Sequence, residues 1–142
     1  MPDIERKRLI RASLARVWDA IADAKQFGEW FRPKVDGEFR PGAHVDVVST
    51  YPGHEGTEFF LDIVDMKPQA VFSFRWQHDN DEPMTLVTFR LDAAEGGTML
   101  TITESGFDAI SLAKRKTFYD RNSEGWSLQI DNIERYVTGR AA

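Results

Sequence analysis

The sequence predicts an α+β domain in which a curved antiparallel sheet wraps a long C-terminal helix and encloses a cavity. Its order of patterns is what predicts this. A strand-like stretch, Ile4 to Arg11, precedes a short amphipathic helix that runs into the aromatic cluster Phe27, Trp30 and Phe31. Stretches of alternating polarity then fill the middle of the chain, and a last helical stripe, Trp126, Ile130, Ile133 and Val137, recurs at offsets of four, seven and eleven. The layout points to binding and carries no obvious reaction.

Each element has its own signal. Ile4 to Arg11 reads as a first or edge strand. Ser13 is suited to N-cap a helix, and Leu14, Val17, Trp18 and Ile21 follow at helical spacing. Ala24 to Phe31 continues as a second short helix that Pro33 ends, leading into an extended segment around Asp36 to Arg40. Pro41-Gly42 marks a turn, and His44 to Tyr51 and Gly56 to Met66 are predicted as a hairpin joined through Pro52-Gly53. In Val71 to His78, Phe72, Phe74 and Trp76 share one face while Ser73, Arg75 and Gln77 share the other.

The polar run Asp79 to Pro83 turns the chain, and Thr85 to Leu91 resumes a strand with Val87, Phe89 and Leu91 on one side. Gly96-Gly97 closes a hairpin into Thr98 to Ser105, where Glu104 shares a face with Leu100 and Ile102. After Gly106 a short helix is predicted near Leu112 to Tyr119, and a separate, longer one over Ser123 to Thr138. In the latter, Asp131 and Arg135 can pair at i, i+4.

Composition excludes several function classes. At 142 residues the chain suits a single domain that buries one core without covalent staples. The content of 42% hydrophobic and 29% charged residues is ordinary, and no apolar run is long enough to cross a bilayer, so no membrane partner is expected. The start, Met1-Pro2-Asp3-Ile4-Glu5-Arg6, lacks the basic-then-apolar order of a secretory signal, which predicts a cytoplasmic protein. The lack of cysteine removes disulfides, thiolate catalysis and thiolate metal sites together. A net charge of −5 argues against binding nucleic acid, and the runs Arg6-Lys7-Arg8 and Lys114-Arg115-Lys116 read as solvated faces.

Several segments together carry a family resemblance: Arg16-Val17-Trp18-Asp19-Ala20-Ile21, Glu29-Trp30-Phe31 with Pro33 after it, Phe39-Arg40-Pro41-Gly42, Phe72-Ser73-Phe74-Arg75-Trp76, the run Gly97 to Phe107, and Glu124-Gly125-Trp126. Across nearly its whole length the chain resembles the small bacterial proteins similar to the C-terminal domain of the activator of the Hsp90 ATPase. These belong to the START, Bet v 1 and polyketide-cyclase (SRPBCC) superfamily. The resemblance implies a helix-grip fold, with two short helices closing one end of a cavity that in most members takes an apolar molecule. In the eukaryotic activator a separate N-terminal domain binds the chaperone. This chain has no room for one, so direct activation of Hsp90 is not expected.

The candidate ligand-binding set is Trp30, Phe31, Phe59, Leu61, Phe72, Phe74, Trp76, Phe89, Trp126 and Ile130, with Trp30, Phe31 and Trp126 as entrance and wall. Each of these also reads as plain core. Gly125 either permits close approach of the last helix to the sheet or a ligand, or sits in a frayed first turn.

Glu104 on the inward face is costly to bury unpaired. Enclosed, its pKa should rise, which suits it to proton transfer or to hydrogen bonding a ligand. The alternatives are an ion pair with an arginine such as Arg75 or a solvated strand end. Arg32 is placed either to hold an anionic headgroup or on the surface.

His44 and Asp46 share a strand face but lack a third ligand in register, and His54-Glu55 and His78-Asp79 fall in turns, so no metal is expected. No nucleophile elbow, phosphate loop or dinucleotide fingerprint is present, and no cofactor is implied. The leading expectation is a binding domain for a small apolar or amphipathic ligand, with a homodimer as an open assembly state. The alternatives are a cyclase- or hydrolase-like enzyme with Glu104 or His44 as acid or base, and a chaperone- or stress-related interaction module.

Overall fold

The period-two alternation of the strands and the three-to-four spacing of the helices are realised in the computed structural model, which describes residues 2–50, 55–77 and 81–139. Strand β1 (Ile4–Ile10) leads to α1 (Leu14–Ala22), whose N-cap Ser13 accepts the Arg16 N–H at 3.1 Å. Helix α2 (Ala24–Phe31) follows directly and closes on Arg32, which takes a left-handed conformation at φ 72°. Then come β2 (Pro33–Asp36), β3 (His44–Ser49), β4 (Glu58–Lys67), β5 (Val71–Trp76), β6 (Thr85–Ala94), β7 (Gly97–Ser105), a 3-10 turn at Phe107–Ala109, and α3 (Leu112–Thr138).

The seven strands form one antiparallel sheet in the order β1-β7-β6-β5-β4-β3-β2, with α3 gripped on its inner side. Register puts Leu61 of β4, Phe72 and Phe74 of β5, Val87 and Phe89 of β6, and Leu100 and Ile102 of β7 on the inner face, all at most 1% exposed. Between Ile63 and Met66 the β4–β5 register shifts, and the Asp65 N–H is taken up by Ser73 Oγ at 3.1 Å. Such a bulge bends its strand and increases the twist. Gly97 is required where β7 starts: a Cβ there would lie 2.1 Å from the Ile10 carbonyl oxygen.

Several expectations are corrected. The extended segment before Pro41 is Pro33–Asp36 and not Asp36 to Arg40, because the chain enters β2 directly after the left-handed Arg32 and leaves it at Gly37, φ 125°. The two predicted C-terminal helices are one 27-residue helix. Its N-terminus is held by Glu82, whose carboxylate accepts the Ser111 N–H at 2.7 Å and the Ser111 hydroxyl at 3.0 Å, a favourable place for negative charge.

Asp131 does not pair with Arg135, which donates instead to Asn132; Asp131 pairs with Arg8 of β1 at 2.9 Å. Nor is Arg6-Lys7-Arg8 a uniformly solvated run. Alternation turns Arg6 and Arg8 toward α3, where Arg6 donates to Ser123 and Ser127, and Arg8 meets Asp131 and Glu134. These contacts, the Asp131 hydrogen bond first, raise the Arg8 pKa against the effect of its partial burial. In the second basic run, Arg115 donates to the Asp108 and Ile110 carbonyls and Lys116 pairs with Asp120.

The predicted turn at Pro52-Gly53, His54 and the pair His78-Asp79 lie outside the described residues. Among those described, no helix is long and apolar enough to cross a membrane.

Candidate functional site

Glu104 is carried to the interior by strand alternation, and it is completely buried. Charge there is tolerable only if donors replace water. Among the described residues, four neutral groups from three other elements do so. On Oε1, the Trp126 indole N–H donates at 2.7 Å and the Asn122 amide at 3.1 Å; on Oε2, the Trp76 indole N–H donates at 2.9 Å, the Thr85 hydroxyl at 2.5 Å and Asn122 again at 3.1 Å. An indole N–H only donates, so an ionised carboxylate, an acceptor at both oxygens, satisfies the whole set at once. The expected ion pair with Arg75 is not what holds Glu104: alternation puts Arg75 on the exposed outer face of β5, opposite Phe74 and Trp76.

Above this carboxylate the aromatic side chains converge. Phe31 from the end of α2 lies 5.9 Å from Trp76 and 6.0 Å from Trp126, and the two indoles are 5.7 Å apart, centroid to centroid. Phe59 of β4 adds an edge contact to Trp76 at 6.3 Å. Phe31, Phe59 and Trp76 are half-buried, and Trp126, at 2% exposure, forms the floor. Trp126 also meets Phe89 edge-on, and Phe89 leads on to Phe72 and Phe74, so the rings form one continuous network.

The ten predicted lining residues divide accordingly. Leu61, Phe72, Phe74, Phe89 and Ile130 are in the packed core. Trp30, expected at the entrance, is 3% exposed and donates its indole N–H to the Ala20 carbonyl at 2.7 Å, which ties α2 to α1 inside the core. Phe31, Phe59 and Trp76 are partly buried and pack against this core.

On α3, Asn122, Gly125 and Gln129 are half-buried at helical spacing. Gly125 does not serve close packing, since a Cβ there would meet nothing within 4 Å; nor is it in a frayed first turn, because the helix begins at Leu112. Arg32 is exposed, and its backbone carbonyl accepts from the Thr50 N–H and hydroxyl.

His44 is on the outer sheet face, opposite the buried Val45 and Val47, so it is no acid or base of an interior cavity. Its ring lies 4.5 Å from that of Phe60, tilted by 31°, and between two carboxylates, Nδ1 2.5 Å from Asp62 and Nε2 3.4 Å from Asp46. Among the described residues no group of three such side chains could hold a metal ion.

Sequence reasoning missed Thr85 and Asn122 as partners of Glu104. Signals for both exist: Thr85 begins the inward series Thr85, Val87, Phe89, and Asn122 stands one helical turn before Trp126.

Comparison with known proteins bears on the same elements. The sequence profile of the family described as "Activator of Hsp90 ATPase homolog 1-like protein" matches residues 11–138. No curated protein sequence matches the chain. Solved structures do. Protein MLL2253 from Mesorhizobium loti superposes with a TM-score of 0.83 at 19% identity, covering 99% of this chain and all of that one. Protein BH1534 from Bacillus halodurans gives 0.74 at 24% identity over 96% and 97% of the two chains. DynU16, from the dynemicin biosynthetic locus, gives 0.78 at 20% identity over 96% of this chain and 47% of its own. At these identities the likeness is one of fold, the helix grip seen here.

Proposed function

The chain belongs to the activator of Hsp90 ATPase homolog 1-like family, whose fold typically binds small ligands, and from that premise we propose that it is a binding domain for a small, largely apolar molecule. The observation that carries the proposal is an aromatic cluster, read here as the mouth of the site: Phe31, Phe59 and Trp76, from three separate elements, are half-buried and meet one another's rings, and Phe31 and Trp76 also meet the buried Trp126. A concave, mostly aromatic surface with a few fixed polar groups is the usual form of a small-molecule site. Phe31, last residue of α2, lies 6.0 Å from the Trp126 ring, centroid to centroid, and on this reading forms part of the wall a ligand meets.

Proton transfer is a poorer account of Glu104. A carboxylate has about four lone-pair directions, and the four donors around it make five contacts, so none is directed at an incoming substrate. Its role on this reading is to fix the two indoles that wall the site. We place the working compartment in the cytosol, and recovery of the protein with membranes on fractionation would overturn that part.

Native mass spectrometry of the freshly purified protein tests the binding proposal. A stoichiometric apolar adduct is expected, reduced in a Phe31→Ala variant that keeps its far-UV circular dichroism. A clean mass together with no thermal stabilisation by a panel of lipophilic compounds would remove the proposal.

A further inference from the structure

From the flank of α3 that faces α2 we infer that Gln129 is the polar end of the site, its side-chain amide donating to a neutral acceptor on the ligand, a carbonyl or ether oxygen, while the ligand's body lies on the bare helix backbone at Gly125; this rests on the binding reading above. Helical spacing locates the flank. At about 3.6 residues per turn, Ser123, Ser127, Asp131 and Glu134 share one side of α3, and these are the residues that meet Arg6 and Arg8 of β1. Asn122, Gly125, Gln129 and Tyr136 fall on the opposite side of the buried Trp126, Ile130 and Ile133. Helix α2 meets α3 at both ends of this stretch: Glu29 accepts from the Tyr136 phenol at 3.2 Å, and the Phe31 ring lies 6.0 Å from that of Trp126. Gly125 and Gln129 lie within one turn of Trp126, and both are half-buried.

The fold itself does not call for Gly125. Its backbone is helical, so no left-handed conformation requires a glycine, and a Cβ would meet nothing within 4 Å, so no neighbour does either. A glycine inside a helix is nonetheless disfavoured against alanine. Half-burial with open space over the Cα is the form a helix takes where a ligand approaches its backbone closely. Gln129, one turn on, supplies the donor. Arg135 can only donate, so the Asn132 oxygen faces it, at 2.6 Å, and the Asn132 amide N–H in turn donates to the Gln129 oxygen at 3.1 Å. This relay fixes which end of the Gln129 amide is spoken for, and among the described residues nothing accepts from its Nε2 N–H groups. Asn122 is committed to the Glu104 carboxylate. A net charge of −5 opposes an anion as the acceptor, which leaves a neutral oxygen.

Acetophenone and α-methylstyrene share one shape and differ at a single position, an oxygen in the ketone where the alkene has a methylene group, so only the ketone accepts a hydrogen bond. Each is titrated into isotope-labelled protein, with affinities read from the amide chemical shifts. The side-chain N–H signals of Gln129 should move farther with the ketone than with the alkene. In Gln129→Met, which keeps the length of the side chain but has no donor, the ketone-to-alkene affinity ratio should fall about fivefold. In Gly125→Ala both affinities should fall about tenfold, with no lowering of the thermal midpoint of the ligand-free protein.

An unchanged ratio in Gln129→Met, or unchanged affinities in Gly125→Ala, would overturn the inference and leave the apolar site standing. Binding of neither compound up to its solubility would remove both readings.

Discussion

Glu104 has no exposed surface, and among the described residues two indole N–H groups, a hydroxyl and a carboxamide stand where water would. Removing it would leave those donors facing one another across a vacated space, and an unsatisfied buried donor costs about 1–3 kcal/mol. Glu104→Ala should therefore lower the unfolding free energy by about 3 kcal/mol or more, read from urea unfolding. Glu104→Gln should recover only part of this, because its amide nitrogen cannot accept from an indole. Equal stability of the three proteins would show that the network contributes nothing net. The inward direction of Glu104 is legible in the sequence, from its alternation with Leu100 and Ile102. Its partners are not, because they converge from β5, β6 and α3, and no local pattern records which elements meet across a curved sheet. Arg75 was one arginine that could have paired with it, yet strand parity puts Arg75 on the other face.

Among the elements, the strands were the most legible, since one inner and one outer face give them a clean period of two. Helix α3 was the least. Its sequence reads as two pieces, Leu112 to Tyr119 and Ser123 to Thr138, and the stretch from Asp120 to Gly125 is polar. The helix runs through because both ends are held from outside: Phe118 and Tyr119 pack near the Phe107 turn with Glu82 on Ser111, and Trp126 onward packs on the sheet. Gly125 is thus an interior helical glycine with open space at its Cβ position. Gly125→Ala should stabilise the protein by about 1 kcal/mol, visible as a raised thermal midpoint. A lowered midpoint would show that the glycine serves the fold. The basic run in β1 teaches a related lesson: Arg6 and Arg8 alternate onto the helix side, where α3 offers serines and carboxylates that a reading of charge alone does not locate.

At the scale of the whole molecule, α1, α2 and the end of α3 are joined through Tyr136. Arg16 of α1 lies 5.0 Å from the centre of its ring and donates to its carbonyl at 3.2 Å, and the phenol donates to Glu29 of α2 at 3.2 Å. Burial first, and then the Glu29 carboxylate, raise the Tyr136 pKa above its ordinary value near 10. The folded protein therefore keeps that proton at pH values where the unfolded chain has lost it. The stabilisation is complete below about pH 10 and declines as pH rises from there through the folded value. Stability measured from pH 8 upward should fall above about pH 10, and Tyr136→Phe should fall less steeply; parallel profiles would assign the alkaline loss to other groups.

The closeness of the Trp76 and Trp126 rings, 5.7 Å apart and inclined by 32°, has an optical consequence. At such separations the electronic transitions of two indoles mix, and the mixing depends steeply on their mutual angle. The near-ultraviolet dichroism of this protein is thereby an internal goniometer for its own entrance: any guest that wedges the two rings apart changes the sign pattern of that spectrum, with no label attached.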